Sequence, residues 1–346
     1  MMRTRIRGGL AVAAFVLAGV FPAAAAEMAE FMVPSGDPGI ELYVRNKHPA
    51  GLGNFSADRT LLYVHGATYP AETSFDLPVG GASMMDLLAE RGFDVWLVDV
   101  RGYGRSTRPA EMSRPAAESP PIVDTATAAR DVGSAVEFIR KRRGIAKLDL
   151  MGWSWGTSIM GLYTSTHDDA VNRLVLYAPM WLSHDTVPAD APALGAYRTV
   201  TRADTLARWL KGVPEEARES LIPAGWFDQW ADATFATDPV GAAQTPPVLR
   251  APNGIVADSR AYWMSGKPLY QPSAITVPTL IIDAEWDADL PTYQAAGYFA
   301  ALTHTPYKRW VQLGEGTHTV ILEKNRMQFV HEVEGFLEEK DPTGLK

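Results

Sequence analysis

The stretch of sequence that decides the fold is LDLMGWSWGTSIMGLYTST, residues 148–166. It starts with the mostly apolar run Leu148 to Met151, continues with Gly-Trp-Ser-Trp-Gly around Ser154, and ends in Thr157 to Thr166, a predicted helix. Gly-x-Ser-x-Gly between a strand and a helix is typical of a sharp turn that holds the serine in a strained backbone conformation. The turn also places the hydroxyl group at a helix N-terminus, where developing negative charge is favoured. We therefore predict that Ser154 is a nucleophile at the carboxyl end of a strand.

Buried strands and amphipathic helices alternate on both sides of this stretch. Apolar runs without polar alternation are typical of strands buried on both faces, as in a parallel sheet. Strands are predicted at 30–46 (two short strands), Leu61 to Val64, Asp94 to Val100, Leu148 to Met151, Leu174 to Tyr177, Leu280 to Ile282 and Arg309 to Leu313. The clearest helices are predicted over Ser83 to Arg91, 124–142 and 324–339. This order predicts an α/β fold, with a mostly parallel, doubly wound sheet and helices on both faces.

Residues 181–272 interrupt the alternation. They contain no clear buried strand, and they are rich in Pro, Trp and short helical patterns such as Thr205 to Lys211 and Glu215 to Ile222. We predict a mainly helical insertion that follows the sixth strand, and a core made of residues 27–180 and 273–346.

A serine hydroxyl needs a base, and the chain offers seven histidines. His318 follows the last apolar run and precedes the final helix, which places it on the same rim of the sheet as Ser154. The alternative is His184 in the insertion. We predict that His318 is the base.

The base needs a carboxylate to fix its tautomer. The segment after the run at 280–282 offers four: Asp283, Glu285, Asp287 and Asp289. Asp287 lies a few residues beyond the end of the strand, where a loop can turn its side chain towards the histidine. We predict Asp287, with the other three as alternatives.

An oxyanion formed at Ser154 needs two backbone N–H donors. Trp155 supplies one because it follows the nucleophile at the start of the helix. The second is expected from the loop after Leu61 to Val64, and Ala67 is the favoured donor. His65 in this loop is expected to brace the backbone.

Composition limits the partners. The chain has 346 residues, 47% of them hydrophobic, no Cys and a formal net charge of −8. The absence of Cys excludes disulfides, a thiolate nucleophile and Cys-based metal sites. The negative charge argues against a nucleic acid or an anionic membrane as partner.

The first 26 residues match a secretory signal peptide. Three arginines precede an apolar run, Gly9 to Val20, and Ala24-Ala25-Ala26 fits a cleavage site. The run is too short to span a bilayer comfortably. We expect cleavage before Glu27 and a periplasmic or secreted bacterial protein without a stable membrane anchor.

These motifs together resemble the α/β-hydrolase superfamily. The resemblance rests on His65-Gly66, on DVRGYGRS at 99–106, on the turn at Ser154, on Pro278 to Asp287 and on Gly316-Thr317-His318. It implies an α/β-hydrolase fold whose insertion at 181–272 is a helical cap, and a capped serine hydrolase of the esterase or lactonase kind. The oxyanion loop is neither His-Gly-Gly-Gly nor His-Gly-Gly-Pro-Gly, which disfavours hormone-sensitive-lipase-like esterases and proline iminopeptidases. A serine nucleophile disfavours haloalkane dehalogenase and epoxide hydrolase chemistry.

The cap is rich in aromatic residues, which suggests a substrate with an apolar or aromatic group. The predicted pocket residues are Trp153, Trp181, Trp226, Trp230 and Trp263. The predicted reaction is hydrolysis of a carboxylic ester or lactone of a small molecule, with thioester and amide as alternatives and no metal or organic cofactor. An acyltransferase, a carbon–carbon bond hydrolase and a non-catalytic secreted binding protein are the competing hypotheses.

Overall fold

The computed structural model describes residues 26–340, so the predicted signal peptide lies almost entirely outside the described residues. The strands are β1 (Glu27–Pro34), β2 (Glu41–His48), β3 (Thr60–Val64), β4 (Asp94–Val98), β5 (Leu148–Trp153), β6 (Val171–Tyr177), β7 (Tyr197–Thr201), β8 (Val248–Pro252), β9 (Thr279–Ala284) and β10 (Lys308–Leu313). The helices are α1 (Ala71–Phe75), α2 (Met84–Ala89), α3 (Thr125–Arg143), α4 (Trp155–Thr164), α5 (Arg202–Trp209), α6 (Arg218–Leu221), α7 (Trp226–Ala236), α8 (Pro239–Ala242), α9 (Gly254–Ala261), α10 (Thr292–Ala301) and α11 (Arg326–Glu338).

Eight strands form one sheet in the order β1-β2-β4-β3-β5-β6-β9-β10. The pairings from β4 to β10 are parallel, and β2 pairs antiparallel with both β1 and β4. Strands β3, β4, β5 and β9 are buried along their whole length, as the lack of regular polar alternation in their sequences predicts. The predicted α/β fold with a mostly parallel sheet is confirmed.

Helices cover both faces of the sheet and define two hydrophobic cores. Helices α3, α4 and α10 pack on one face, and α1, α2 and α11 pack on the other. The long helix α3 begins at an Asp124 side chain that accepts the Thr127 N–H, and it ends at Gly144 in the left-handed conformation. These are standard helix start and stop signals. No helix within residues 26–340 is long and apolar enough to cross a membrane.

The insertion, residues 181–272, lies between β6 and β9 and holds helices α5 to α9. It also contains a two-stranded antiparallel ribbon, β7 with β8, which the sequence did not lead us to expect. Strand β8 is buried throughout even though it contains Arg250. The Arg250 guanidinium is neutralised by Asp238, whose oxygens lie 2.6 and 2.9 Å from it. A buried strand with a paired arginine does not produce the apolar run from which a buried strand is predicted.

Candidate active site

Ser154 lies in the turn between β5 and α4. Its backbone has φ +57° and ψ −121°, a conformation that residues with a side chain rarely adopt. The Ser154 N–H donates a hydrogen bond of 2.9 Å to the Tyr177 carbonyl oxygen on the neighbouring strand. The sheet and the following helix therefore hold the serine in the strained turn that the motif predicts.

The two glycines of the motif are required by the close approach of neighbouring backbone. A Cβ atom on Gly152 would lie 2.2 Å from the carbonyl oxygen of Gly156. A Cβ atom on Gly156 would lie 2.6 Å from the carbonyl oxygen of Val64 at the end of β3. Both gaps are far below a van der Waals contact between backbone and side chain. Only glycine therefore lets this turn pass so close to the adjacent strand.

His318 and Asp287 are joined by a buried hydrogen bond. His318 Nδ1 lies 2.7 Å from Asp287 Oδ2. The other carboxylate oxygen of Asp287 accepts the N–H groups of Asp289 and Leu290, both at 2.9 Å. These contacts fix the carboxylate and leave it facing the imidazole.

The second imidazole nitrogen is available for chemistry. Within residues 26–340, His318 Nε2 is buried and has no hydrogen-bond partner. His318 and Ser154 line the same narrow crevice, together with Gly66 and Ala67 of the loop after β3. A histidine held through Nδ1 with Nε2 free beside a serine has the arrangement of a general base.

The loop that carries His318 is held by the ends of β5, which leads to Ser154, and of the neighbouring strand β6. The Trp153 indole N–H donates to the His318 carbonyl oxygen at 2.8 Å, and the Tyr177 hydroxyl donates to the same oxygen at 2.8 Å. The Tyr177 hydroxyl in turn accepts the Val320 N–H at 3.1 Å. Trp153, predicted as a pocket residue, is thus placed beside Ser154 as a support for the histidine loop.

A buried carboxyl group, Glu323, connects this loop to the insertion. It accepts the Thr317 N–H at 3.0 Å and the Trp209 indole N–H at 2.8 Å, and it also binds the Thr317 hydroxyl. Burial raises the pKa of Glu323 to about 7. Glu323 therefore joins α5 to the residue that precedes His318.

The loop after β3 approaches the serine closely. A Cβ atom on Gly66 would lie 3.0 Å from the Cβ of Ser154 and 3.5 Å from its Oγ. The next residue, Ala67, lines the same crevice, and its N–H donates no hydrogen bond within the described part of the chain. Trp155 is the first residue of α4, a position whose N–H has no partner inside the helix. Both predicted oxyanion donors thus stand beside Ser154.

His65 braces this loop as a neutral imidazole. Its Nδ1 lies 2.7 Å from the Gly66 carbonyl oxygen, and its Nε2 accepts the Val100 N–H at 3.2 Å. Complete burial lowers the pKa of His65 to about 4. The two contacts require a proton on Nδ1 and a lone pair on Nε2, so His65 remains uncharged near neutral pH.

A cavity of about 230 Å³ opens beside the serine. One part of its wall is apolar, and the other part is polar and charged. The apolar part consists of Ala67, Met180, Trp181, Trp263, Met264 and Leu290, and the polar part consists of Ser154, Ser183, Asp185, Arg208, Ser259, Asp289 and Gln294. Trp181 and Trp263 are the two predicted pocket residues that line this cavity.

Trp226 and Trp230 lie elsewhere, contrary to the pocket prediction. The Cζ of Arg326 lies over the Trp226 ring, 4.6 Å from the ring centroid, and Trp226 also packs against Gly80. Trp230 is fully buried, edge-on to Tyr69 and Trp209, and belongs to a hydrophobic core. Helix α7 carries both residues, with Trp230 inside a hydrophobic core of the protein and Trp226 packed against that core, so its tryptophans attach the insertion to the core.

The alternative acids and base have other contacts. Asp283 binds the Trp310 indole, Glu285 accepts the Glu315 N–H, and Asp289 pairs with Arg208. The exposed His184 ring stacks on Tyr293 with centroids 3.7 Å apart. Asp283, Glu285 and His184 are therefore engaged away from the Ser154 hydroxyl, whereas Asp289 lines the cavity beside it as the partner of Arg208.

Arg208 is a residue that the sequence analysis missed. It lines both the cavity and the crevice at Ser154, pairs with Asp289, and donates to the Thr68 hydroxyl at 3.3 Å. In the sequence it is one arginine in an ordinary helical pattern, Thr205 to Lys211. No local signal distinguishes it from an arginine on a solvated helix face.

The comparison with known proteins agrees with this architecture. Residues 59–325 match the sequence profile of the alpha/beta hydrolase fold family. That range is well over half of the chain and includes Ser154, Asp287 and His318. The chain therefore belongs to the alpha/beta hydrolase fold family.

Individual relatives are distant. Human gastric triacylglycerol lipase is 24% identical over 193 residues, which are 54% of this chain and 45% of the lipase. The match thus spans less than half the length of that lipase.

Solved structures show the fold over most of the chain. A serine hydrolase involved in carbazole degradation aligns with a TM-score of 0.58 and 16% identity, covering 90% of this chain and 99% of that one. The esterase EaEST from Exiguobacterium antarcticum aligns with a TM-score of 0.56 and 18% identity, covering 89% and 99%. At these identities the likeness establishes the shared fold.

Proposed function

We propose that this protein is a serine hydrolase that cleaves a carboxylic ester or lactone through Ser154, His318 and Asp287. The observation that carries the proposal is the 2.7 Å hydrogen bond from His318 to Asp287 beside Ser154, with His318 Nε2 left unpaired within residues 26–340. The proposal is supported by the chain order Ser154, Asp287, His318 and by the crevice that Ser154 shares with His318.

The proposed reaction has two halves. His318 Nε2 takes the proton of the Ser154 hydroxyl while the Ser154 oxygen attacks the substrate carbonyl carbon. The N–H groups of Ala67 and Trp155 bind the resulting oxyanion. The intermediate collapses, the protonated His318 gives its proton to the leaving alkoxide, and an acyl-enzyme remains. Water, deprotonated by His318, then attacks the acyl carbonyl. The second intermediate expels the Ser154 oxygen, which takes the proton back from His318, and the carboxylic acid is released. Asp287 keeps the proton of His318 on Nδ1 and stabilises the imidazolium.

The cavity supports a small substrate with an apolar group on one side. Trp181, Trp263 and Leu290 can bury an acyl or alcohol group, and its volume of about 230 Å³ is below the usual range of sites for drug-sized ligands. Arg208, Asp289 and Gln294 can hold polar substituents. An ester or lactone is preferred to a peptide because the cavity is small and much of its wall comes from residues of the insertion. The lipase and esterase names of the relatives are consistent with this class.

The test is a hydrolysis assay with the purified protein on short esters, lactones, thioesters and amides. We expect turnover of esters or lactones that Ser154→Ala abolishes and that Ser165→Ala, at the end of α4, leaves unchanged. Mass spectrometry with added alcohol would identify acyl transfer in place of hydrolysis. Turnover that persists in Ser154→Ala would contradict the proposal.

A further inference from the structure

Arg198, on strand β7 of the insertion, is a cation that makes no salt bridge with any of residues 26–340. No carboxylate oxygen of residues 26–340 lies within salt-bridge distance of its guanidinium, whereas Arg202, Arg208 and Arg250 of the same insertion each pair with an aspartate. Burial lowers the pKa of Arg198. Arg198 is half-buried, and removing part of a guanidinium from water without a counter-ion is unfavourable unless its N–H groups are satisfied in another way. The charge of Arg198 must therefore be stabilised by the hydrogen bonds that its guanidinium donates.

The N–H groups of Arg198 are directed at the loop after β3. Nη2 donates to the Ala67 carbonyl oxygen and, at 3.1 Å, to the Thr68 hydroxyl. Nη1 donates to the Pro252 carbonyl oxygen at 2.6 Å, on the partner strand of the ribbon. The guanidinium thus bridges the ribbon of the cap and the loop that carries a predicted oxyanion donor.

The Ala67 carbonyl oxygen has a second donor from the core. The Tyr103 hydroxyl donates to it at 2.9 Å. One carbonyl group therefore accepts from a neutral group of the core and from a charged group of the cap. Charge-assisted hydrogen bonds are the stronger kind, so the cap supplies the stronger restraint on this residue.

We propose that Arg198 is a positioning residue for the oxyanion loop, through which the cap holds the Ala67 N–H in place for acyl transfer. This inference rests on the proposed function. An oxyanion donor is effective only when it is oriented before the reaction, and fixing the carbonyl group of Ala67 limits the rotation of that residue.

The test compares steady-state kinetics of Arg198→Met, Arg198→Lys and Tyr103→Phe on an ester whose turnover depends on Ser154. Loss of a whole oxyanion donor lowers kcat by about 10²–10³-fold, so a misplaced donor should lower it by about 10–100-fold. We expect this loss in Arg198→Met with KM changed by less than about threefold, since the contact acts on the transition state. Arg198→Lys keeps the charge and should recover most of kcat. Tyr103→Phe, which removes the neutral donor, should lower kcat by a smaller factor.

Arg202→Met is the matched control, because Arg202 is a cap arginine that pairs with Asp228 and Asp232 on the surface. It should leave kcat and KM unchanged. A kcat of Arg198→Met within about threefold of the wild-type value, or an equal rise of KM, would overturn the inference while leaving Ser154-dependent hydrolysis intact. Wild-type protein without Ser154-dependent turnover would instead contradict the proposed function itself.

Thermal unfolding of each variant separates positioning from folding. If Arg198→Met does not fold, Arg198→Lys and Tyr103→Phe decide the matter. In that case two results together would overturn the inference. The first is a wild-type kcat in a folded Tyr103→Phe. The second is a folded Arg198→Lys whose kcat falls while its KM rises by the same factor.

Discussion

His318 Nδ1 lies 2.7 Å from Asp287 Oδ2, although the two residues are 31 positions apart in the chain. The pairing of the last two strands explains this meeting. Strands β9 and β10 are parallel neighbours, and their last residues, Ala284 and Leu313, are paired in register. Asp287 and His318 follow these paired ends within a few residues, so their loops leave the same edge of the sheet side by side.

Replacing Asp287 by Asn should lower kcat on the preferred ester by about 10³–10⁴-fold, because an amide can hold His318 in the wrong tautomer. KM should change little, since Asp287 is buried behind the imidazole and does not line the cavity. Steady-state kinetics on the folded variant check both values.

Glu285→Gln is the control for Asp287, because Glu285 follows the same strand and binds the Glu315 N–H at 2.9 Å. It should retain wild-type activity. A large loss of kcat in Glu285→Gln, with full activity in Asp287→Asn, would show that Glu285 and not Asp287 is the carboxylate partner of His318.

Replacing Gly66 by Ala should reduce kcat by about 10–100-fold through displacement of the oxyanion loop. The added Cβ would lie 3.0 Å from Ser154 Cβ and 3.3 Å from the Trp153 carbonyl oxygen, so the loop must shift by a few tenths of an ångström. Gly53→Ala, in an exposed loop where the added Cβ meets nothing within 4 Å, should be neutral. Equal kcat for the two alanine variants would show that the loop position is unimportant.

His65 should make the free energy of unfolding depend on pH between about 6.5 and 4. The folded state lowers the pKa of His65 from 6.5 to about 4 because the ring is buried. Above pH 6.5 both states are neutral and the contribution to stability is complete. As the pH falls towards 4, the unfolded chain takes up a proton that the folded chain refuses, and stability is lost.

His65→Asn removes this titration, so the difference in unfolding free energy between wild type and variant should shrink by about 2 kcal/mol from pH 7 to pH 5. Urea unfolding at both pH values measures it. A constant difference for His65→Asn would mean that the pKa of His65 is the same in the folded and the unfolded chain.

Replacing Trp181 by Ala should enlarge the cavity beside Ser154 and raise the ratio of kcat/KM for bulky over short acyl groups by about tenfold or more. Trp226→Ala serves as the comparison, because Trp226 packs against Gly80 and Arg326 away from the cavity. It should reduce stability and leave this ratio unchanged. A set of acyl chain lengths assayed with both variants gives the ratios.

The fold was predictable because its signals are local. The inner parallel strands β3, β4, β5, β6 and β9 are mostly apolar. The motif at Ser154 requires glycine at 152 and 156 because a Cβ atom at either position would collide with neighbouring backbone. The positions of Ser154, Asp287 and His318 after strands were also visible, since the carboxyl ends of parallel strands share one edge.

The composition of the cavity was not predictable, because it depends on how the cap packs. Trp181 and Trp226 look alike in sequence, yet one lines the cavity and the other packs against the core. Strand β8 was not predicted because Arg250 interrupts its apolar sequence, although Arg250 is buried through its pairing with Asp238. The contact of Arg198 with Ala67 joins residues 131 positions apart and has no sequence signal.

The most direct measurement is the reaction of the protein with a fluorophosphonate probe, with the modified residue located by peptide mass spectrometry. An activated serine next to a general base attacks the phosphorus atom and keeps the label. We predict a single label on Ser154 that Ser154→Ala and His318→Ala both abolish. A folded protein that stays unlabelled, or that carries the label on another residue, would contradict the proposed serine hydrolase mechanism.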